Sequence, residues 1–185
     1  MKLRYHAALV AAALGAAPLA PVASHAFAQG ASAPAGTAAL SDTDQKFVKT
    51  ATTAGTTEID AAKLALHQSS DKDVKAFATH MIADHTKLAA QLKMATPRHA
   101  DVPSGPDNTA LDGLKSLKGA DFDSAYISKL GVQGHKEAIA AFQDEADNGQ
   151  DASLKKAAKS ALPTIEHHYA MAQELAKKKG ITVSE

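Results

Sequence analysis

Residues 82–92, IADHTKLAAQL, return as residues 165–175, IEHHYAMAQEL. Both copies share the skeleton I-x-x-H-x-x-[LM]-A-x-x-L, so the chain uses one pattern twice with a histidine fixed in each. Extended towards their N-termini, the copies become Val74, Ala78, Met81, His85, Leu88, Leu92 and Ala158, Ala161, Ile165, His168, Ala172, Leu175. Alternating steps of three and four trace the inward seam of a packed bundle helix, which puts His85 and His168 among apolar core positions. His67, His80, His99 and His167 fall off the seam, at a helix end or in a connection, and read as solvated groups.

From Ser41 onwards the chain is a series of long amphipathic segments without β-branched alternation, which predicts an all-α domain. The first helix is expected over about 43–68, opened by the capping-box spacing of Ser41 and Asp44. A second follows after Ser70 over about 71–95, ending before Pro97. The third is expected over 121–148 with Gly149 as its stop, and the fourth over 151–179 with Gly180 as its stop. Pro163 removes a backbone donor from the fourth helix and is expected to bend it about a turn before His168. Between the hairpins, residues 96–119 are rich in Pro, Gly and Asp, with one short helical turn through Leu111, Leu114 and Leu117. So long a connection is unusual in a compact domain unless it runs the length of the bundle. Two hairpins joined by one long crossover describe a ferritin-like four-helix bundle.

The first 28 residues have the three-part pattern of a secretory signal: Lys2 and Arg4, an Ala/Leu/Val run, then Ala26-Phe27-Ala28 before Gln29. Cleavage after Ala28 predicts an exported, periplasmic or secreted protein with no membrane span in its mature form. Residues 29–40, QGASAPAGTAAL, read as a flexible leader. Removing residues 1–28 takes away two basic residues and no acid, so 20 basic and 20 acidic residues become 18 and 20. A formal charge of −2 does not favour nucleic acid. The chain has no cysteine, so disulfides and thiolate metal sites are excluded and any metal must be held by histidine and carboxylate.

Each of the four helices brings one such group to its inner face. Glu58 lies in the series Phe47, Ala51, Ala54, Glu58, Ala61, Ala65, and His135 sits beside Val132, Ala138, Ile139 and Phe142. Counted from the middle of its turn, each hairpin places its two groups within about four residues of one level, roughly 6 Å of rise. Helical side chains lean towards their own N-terminus, so the earlier residue of each pair leans away from the turn and the later one back towards it. Glu58, His85, His135 and His168 are therefore expected to converge. Gly55, Gly131 and Gly134 lie within a turn of Glu58 or His135, where missing side chains leave space or let helices approach. Three imidazoles and a carboxylate suit one divalent transition-metal ion: Zn, Fe, Cu or Ni. The alternative is a hydrogen-bonded His/Glu cluster that only fixes helix register.

The chain resembles the exported bacterial family called domain of unknown function 4142. The resemblance rests on F-V-x-x-A at Phe47, T-x-x-G-T-T-E-I-D-A-A-K-L-A around Glu58 and V-K-A-F-A-x-x-M-I-A-D-H-T-K around His85. It continues in F-D-x-A-Y-I, in G-H-K-E-A-I-A-A-F around His135 and in L-K-K-A-A-K-x-A-L-P-T-I-E-H-H, spanning roughly residues 41–178. It implies a ferritin-like bundle without a defined activity, and aligns Glu58, His85, His135 and His168 with that family's inward-facing polar positions. Gly134 stands where that family often has an acid. Di-iron bundles carry Glu-x-x-His on two helices, whereas the residues three before His85 and His168 are Ile82 and Ile165. Their absence argues against ferroxidase chemistry and for a mononuclear site.

Three functions fit these residues: a metal-binding bundle, a non-catalytic envelope or stress protein that binds partners through its outer faces, and a pH-responsive bundle whose core imidazoles open the packing when protonated.

Overall fold

A computed structural model of the chain describes residues 39–183. The expected signal and most of the leader lie outside the described residues. Among those described there is helix and no strand. Helix α1 spans Asp42–Gln68 and α2 spans Lys72–Ala95. A short helix, α3, covers Asn108–Lys115 within the crossover. Helix α4 occupies residues 119–148 in three consecutive segments: α-helical Gly119–Ala125, π-helical Tyr126–Gly134 and α-helical His135–Asn148. Helix α5 spans Ala152–Lys179 and continues through Pro163. Helices α1, α2, α4 and α5 form the ferritin-like four-helix bundle.

The caps follow from side-chain chemistry. Ser41 and Asp44 make a reciprocal capping box on α1. The cap of α2 is Asp71, one residue beyond the expected Ser70, because its carboxylate can accept from both Asp73 and Val74 backbone amides. Asp151 caps α5 in the same way, and Gly180, at φ 65°, closes it in the left-handed region. Helix α4 starts two residues before the expected Asp121, from Lys118, with no side-chain cap.

The crossover runs along α1 from end to end. Gln45 bonds the carbonyl of Asp101 at 2.7 Å, Thr57 Oγ1 accepts from the Asp107 amide at 2.8 Å, and Gln68 bonds the carbonyl of Lys115 at 3.1 Å. Leu111 and Leu114 of α3 pack into the core at the α1–α2 turn.

The core is in two parts. One apolar cluster gathers Ala61, Ala65, Val74, Phe77, Met81, Tyr126, Ile127, Ala172 and Leu175. The other gathers Phe47, Val48, Ala51, Leu92, Ala146, Leu154 and Ala158 near the opposite end. On α1, α2 and α5 the residues between the two clusters include Glu58, His85 and His168, so a buried polar layer separates them. The seam of α5 is buried at Ala158, Ala161, Ile165, His168, Ala172 and Leu175 alike, and that of α2 at all but the half-buried Leu88.

Candidate metal centre

The polar layer is built from one residue on each bundle helix. His168 is wholly buried, His135 is 1% exposed, Glu58 5% and His85 8%. The three imidazoles form a nearly equilateral triangle, with ring centroids 5.6 Å (His85–His135), 5.3 Å (His85–His168) and 5.5 Å (His135–His168) apart. One nitrogen from each can be chosen so that all three lie within 4.8 Å of one another. The buried ring nitrogens without a hydrogen-bond partner are His85 Nε2, His135 Nε2 and His168 Nδ1.

The other nitrogens of two rings are engaged. His168 Nε2 donates to Asp84 Oδ2 at 3.0 Å, and His135 Nδ1 donates to the Leu130 carbonyl at 3.0 Å. Each bond fixes the proton on one nitrogen and leaves a lone pair on the other. Asp84 precedes His85 in α2, and its side chain is 42% exposed, so it joins the buried layer to the surface.

The π-helical stretch of α4 ends immediately before His135. A π turn spaces inward positions by more than four residues, as in Tyr126 to Gly131 and Leu130 to His135, all of them buried. Two glycines in this stretch serve close approaches. A Cβ on Gly131 would lie 3.0 Å from the Cβ of Ala172 on α5, and one on Gly134 would lie 3.1 Å from Glu58 Oε1. Gly55 differs, since a Cβ there would meet nothing within 4 Å.

Glu58 reaches the layer beside His135, with Oε1 3.7 Å from Nδ1. It approaches the ring nitrogen already bonded to Leu130, and its own donor atoms are outside the set of three nitrogens that lie mutually within 4.8 Å. Its Oε2 is buried without a partner. Burial raises the Glu58 carboxyl to about 8, so it carries a proton at neutral pH. Burial pushes His85 down to about 3, with the neighbouring imidazoles adding to the effect, and His135 down to about 4. His168 is lowered as well, by burial that outweighs the opposing Asp84. The apo layer is thus three neutral imidazoles beside a neutral acid: electron-pair donors without charge. His67, His80, His99 and His167 are exposed.

Asp84 and the π segment escaped the sequence reading. Asp84 stands in the opening repeat one position off the seam, and only the rotation of α2 against α5 brings its carboxylate to His168. The π segment leaves a faint trace in the five-residue spacing of Tyr126 to Gly131 and Leu130 to His135.

Residues 29–175 match the family described as domain of unknown function (DUF4142). The chain belongs to that family. This DUF4142 member is also similar in structure to a DUF305 protein, thought to be secreted, from Streptomyces coelicolor. The match has a TM-score of 0.64 at 13% identity and covers 77% of this chain and 96% of the other. At that identity the likeness concerns the fold. No curated protein matches the chain. No helix among the described residues is long and apolar enough to cross a membrane.

Proposed function

We propose that this DUF4142 bundle is an exported metal-binding protein that holds one divalent transition-metal ion on His85, His135 and His168. The observation that carries the reading is a set of buried ring nitrogens without a partner, one on each of three imidazoles at a single level of the core. A buried polar atom without a partner is costly, and a shared cation would satisfy all three at once. Around a four-coordinate ion with bonds of about 2.0–2.1 Å, ligand nitrogens stand roughly 3.4 Å apart. The triangle therefore closes by small ring movements as it takes up an ion.

The partners of the remaining nitrogens favour the same reading. A ligating histidine commonly donates its second N–H to a carboxylate or a carbonyl, and Asp84 and Leu130 supply one of each. A cluster that served register alone would be expected to bond its members to one another, and no ring here bonds another ring. Glu58 completes the environment: its carboxyl adjoins His135 and can ionise to offset part of the ion's charge. Imidazole donors suit Zn, Cu, Fe and Ni, and Ile82 and Ile165 in place of bridging carboxylates favour a mononuclear ion. Export is supported by the N-terminal pattern of residues 1–28.

Titration of the metal-free protein with Zn, Cu, Ni and Co tests the assignment. It predicts one tight site per chain that is lost in the double variant His85→Ala/His168→Ala and kept in His80→Ala/His167→Ala. Equal uptake by both variants contradicts it.

A further inference from the structure

Beside the histidine layer the bundle opens into a cleft of about 1120 Å³. Its walls are unusually small side chains: Ala51, Ala54 and Gly55 of α1, Ala138 of α4, and Ala157 and Ala161 of α5. Its floor includes Glu58, His85 and His135, each more than nine-tenths buried and each with an unpartnered polar atom, Glu58 Oε2, His85 Nε2 and His135 Nε2. His168 is absent from the lining. The cleft therefore reaches the imidazole triangle from one side, while His168 and its Asp84 partner lie behind it.

An ion on three neutral imidazoles keeps a net positive charge even when Glu58 ionises beside it, and a buried charge is costly until it is fully paired. Three protein ligands also leave at least one coordination position to an outside group, the arrangement of sites that bind or transform a ligand. The charged residues at the mouth of the cleft are in cationic excess: Lys93, Arg98 and Lys129, exposed and in no ion pair among the described residues, and Lys49, which pairs with Asp101, against the exposed carboxylates Asp107 and Glu137. A cationic mouth draws anions inwards. The walls between mouth and floor are mostly apolar, with threonines of α1 such as Thr53 and Thr56 among the alanines, and a cleft of this size accommodates a small organic molecule.

We propose that the cleft binds a small amphiphilic acid, its anionic oxygen head on the ion held by the three histidines and its alkyl or aryl body along the alanine-lined wall. This rests on the metal assignment made above. The body gains from covering apolar wall, and the head both neutralises the ion and fills its open position. A neutral molecule of the same shape gains only the first.

The test is calorimetric titration of octanoate, with octan-1-ol as the counterpart lacking the anionic head, into zinc-loaded protein, metal-free protein and zinc-loaded Gly55→Leu. Leu is a better helix former than Gly, and a Cβ at position 55 meets nothing, so the variant folds while occupying the cleft. Ala54→Leu on the same wall is a second block. Separate zinc titrations report the metal site in every variant. The expected result is one octanoate per zinc-loaded chain, weakened about tenfold or more by removing zinc, by either leucine or by exchanging octanoate for octan-1-ol. Octanoate that binds metal-free and zinc-loaded protein equally, ignores both leucines, or fails to bind protein that holds zinc overturns the inference and leaves the metal assignment standing. Failure of zinc itself to bind overturns both.

Discussion

Asp84 Oδ2 and His168 Nε2 lie 3.0 Å apart, a hydrogen bond from α2 to α5 that ties a half-exposed carboxylate to a wholly buried imidazole. It holds the proton on Nε2 and turns Nδ1 towards the other two rings. The carboxylate is in turn held below its usual range, first by this bond.

Asp84→Asn keeps the shape but weakens the acceptor and allows the imidazole to take the other tautomer. Metal affinity should fall about 10–100-fold with the fold intact, the range found for partners of ligating histidines. Competition with a chelator of known affinity measures it. Affinity equal to wild type would show that Asp84 does not position His168.

Gly131 lets α4 approach α5 at Ala172. Gly131→Ala should destabilise the bundle by about 1–3 kcal/mol through overpacking, less the roughly 0.5–1 kcal/mol gained from a better helix former. Metal affinity should fall too, because the same approach sets the distance between His135 and His168. Ala172→Gly in the same chain should restore affinity, and urea unfolding with metal titration of the single and double variants tests the coupling.

Tyr126 is fully buried and its hydroxyl has no partner. Tyr126→Phe removes an unsatisfied group and should leave stability unchanged or raise it by up to about 1–3 kcal/mol. A clear fall in the urea midpoint would mean that the hydroxyl is bonded in solution.

The metal-free protein should have a stability optimum bounded on both sides. His85 and His135 titrate near 3 and 4 in the fold against 6.5 in the unfolded chain, so the unfolded state binds more protons in that interval. Stability is lost as pH falls below about 6.5. Glu58 and Glu145 are raised to about 8 from 4.5, chiefly by burial, so the folded state keeps protons that the unfolded chain releases. Stability is lost as pH rises from about 4.5 to 8, and the two effects together place the optimum near pH 5–6.5. Glu145→Gln should shallow the alkaline limb and leave the acid limb. Urea midpoints across pH 4–9 check this, and a midpoint that climbs steadily from pH 6 to 8 contradicts it.

The bundle was legible because its seam obeys a single rule. Steps of three and four place Ile165, His168, Ala172 and Leu175 inwards, and they are buried together. The same rule brought Glu58, His85, His135 and His168 to one level, since level follows from counting residues and rise. What counting cannot supply is orientation around a side chain. The turn of Glu58 towards the bonded nitrogen of His135, and the reach of Asp84 across to α5, depend on how neighbouring helices are rotated. The π segment was hidden for a related reason. Its apolar residues fit a 3.6-residue period nearly as well as a wider one, and the Gly131 contact that accompanies the wider turn is made with another helix.

The most direct test of the central claim is anomalous diffraction from crystals of the protein loaded with one equivalent of zinc. The account predicts one strong peak inside the bundle, about 2.0–2.1 Å from nitrogens of His85, His135 and His168, with Asp84 still bonded to His168. Zinc found only at exposed His80 or His167, with the buried triangle empty, would contradict it.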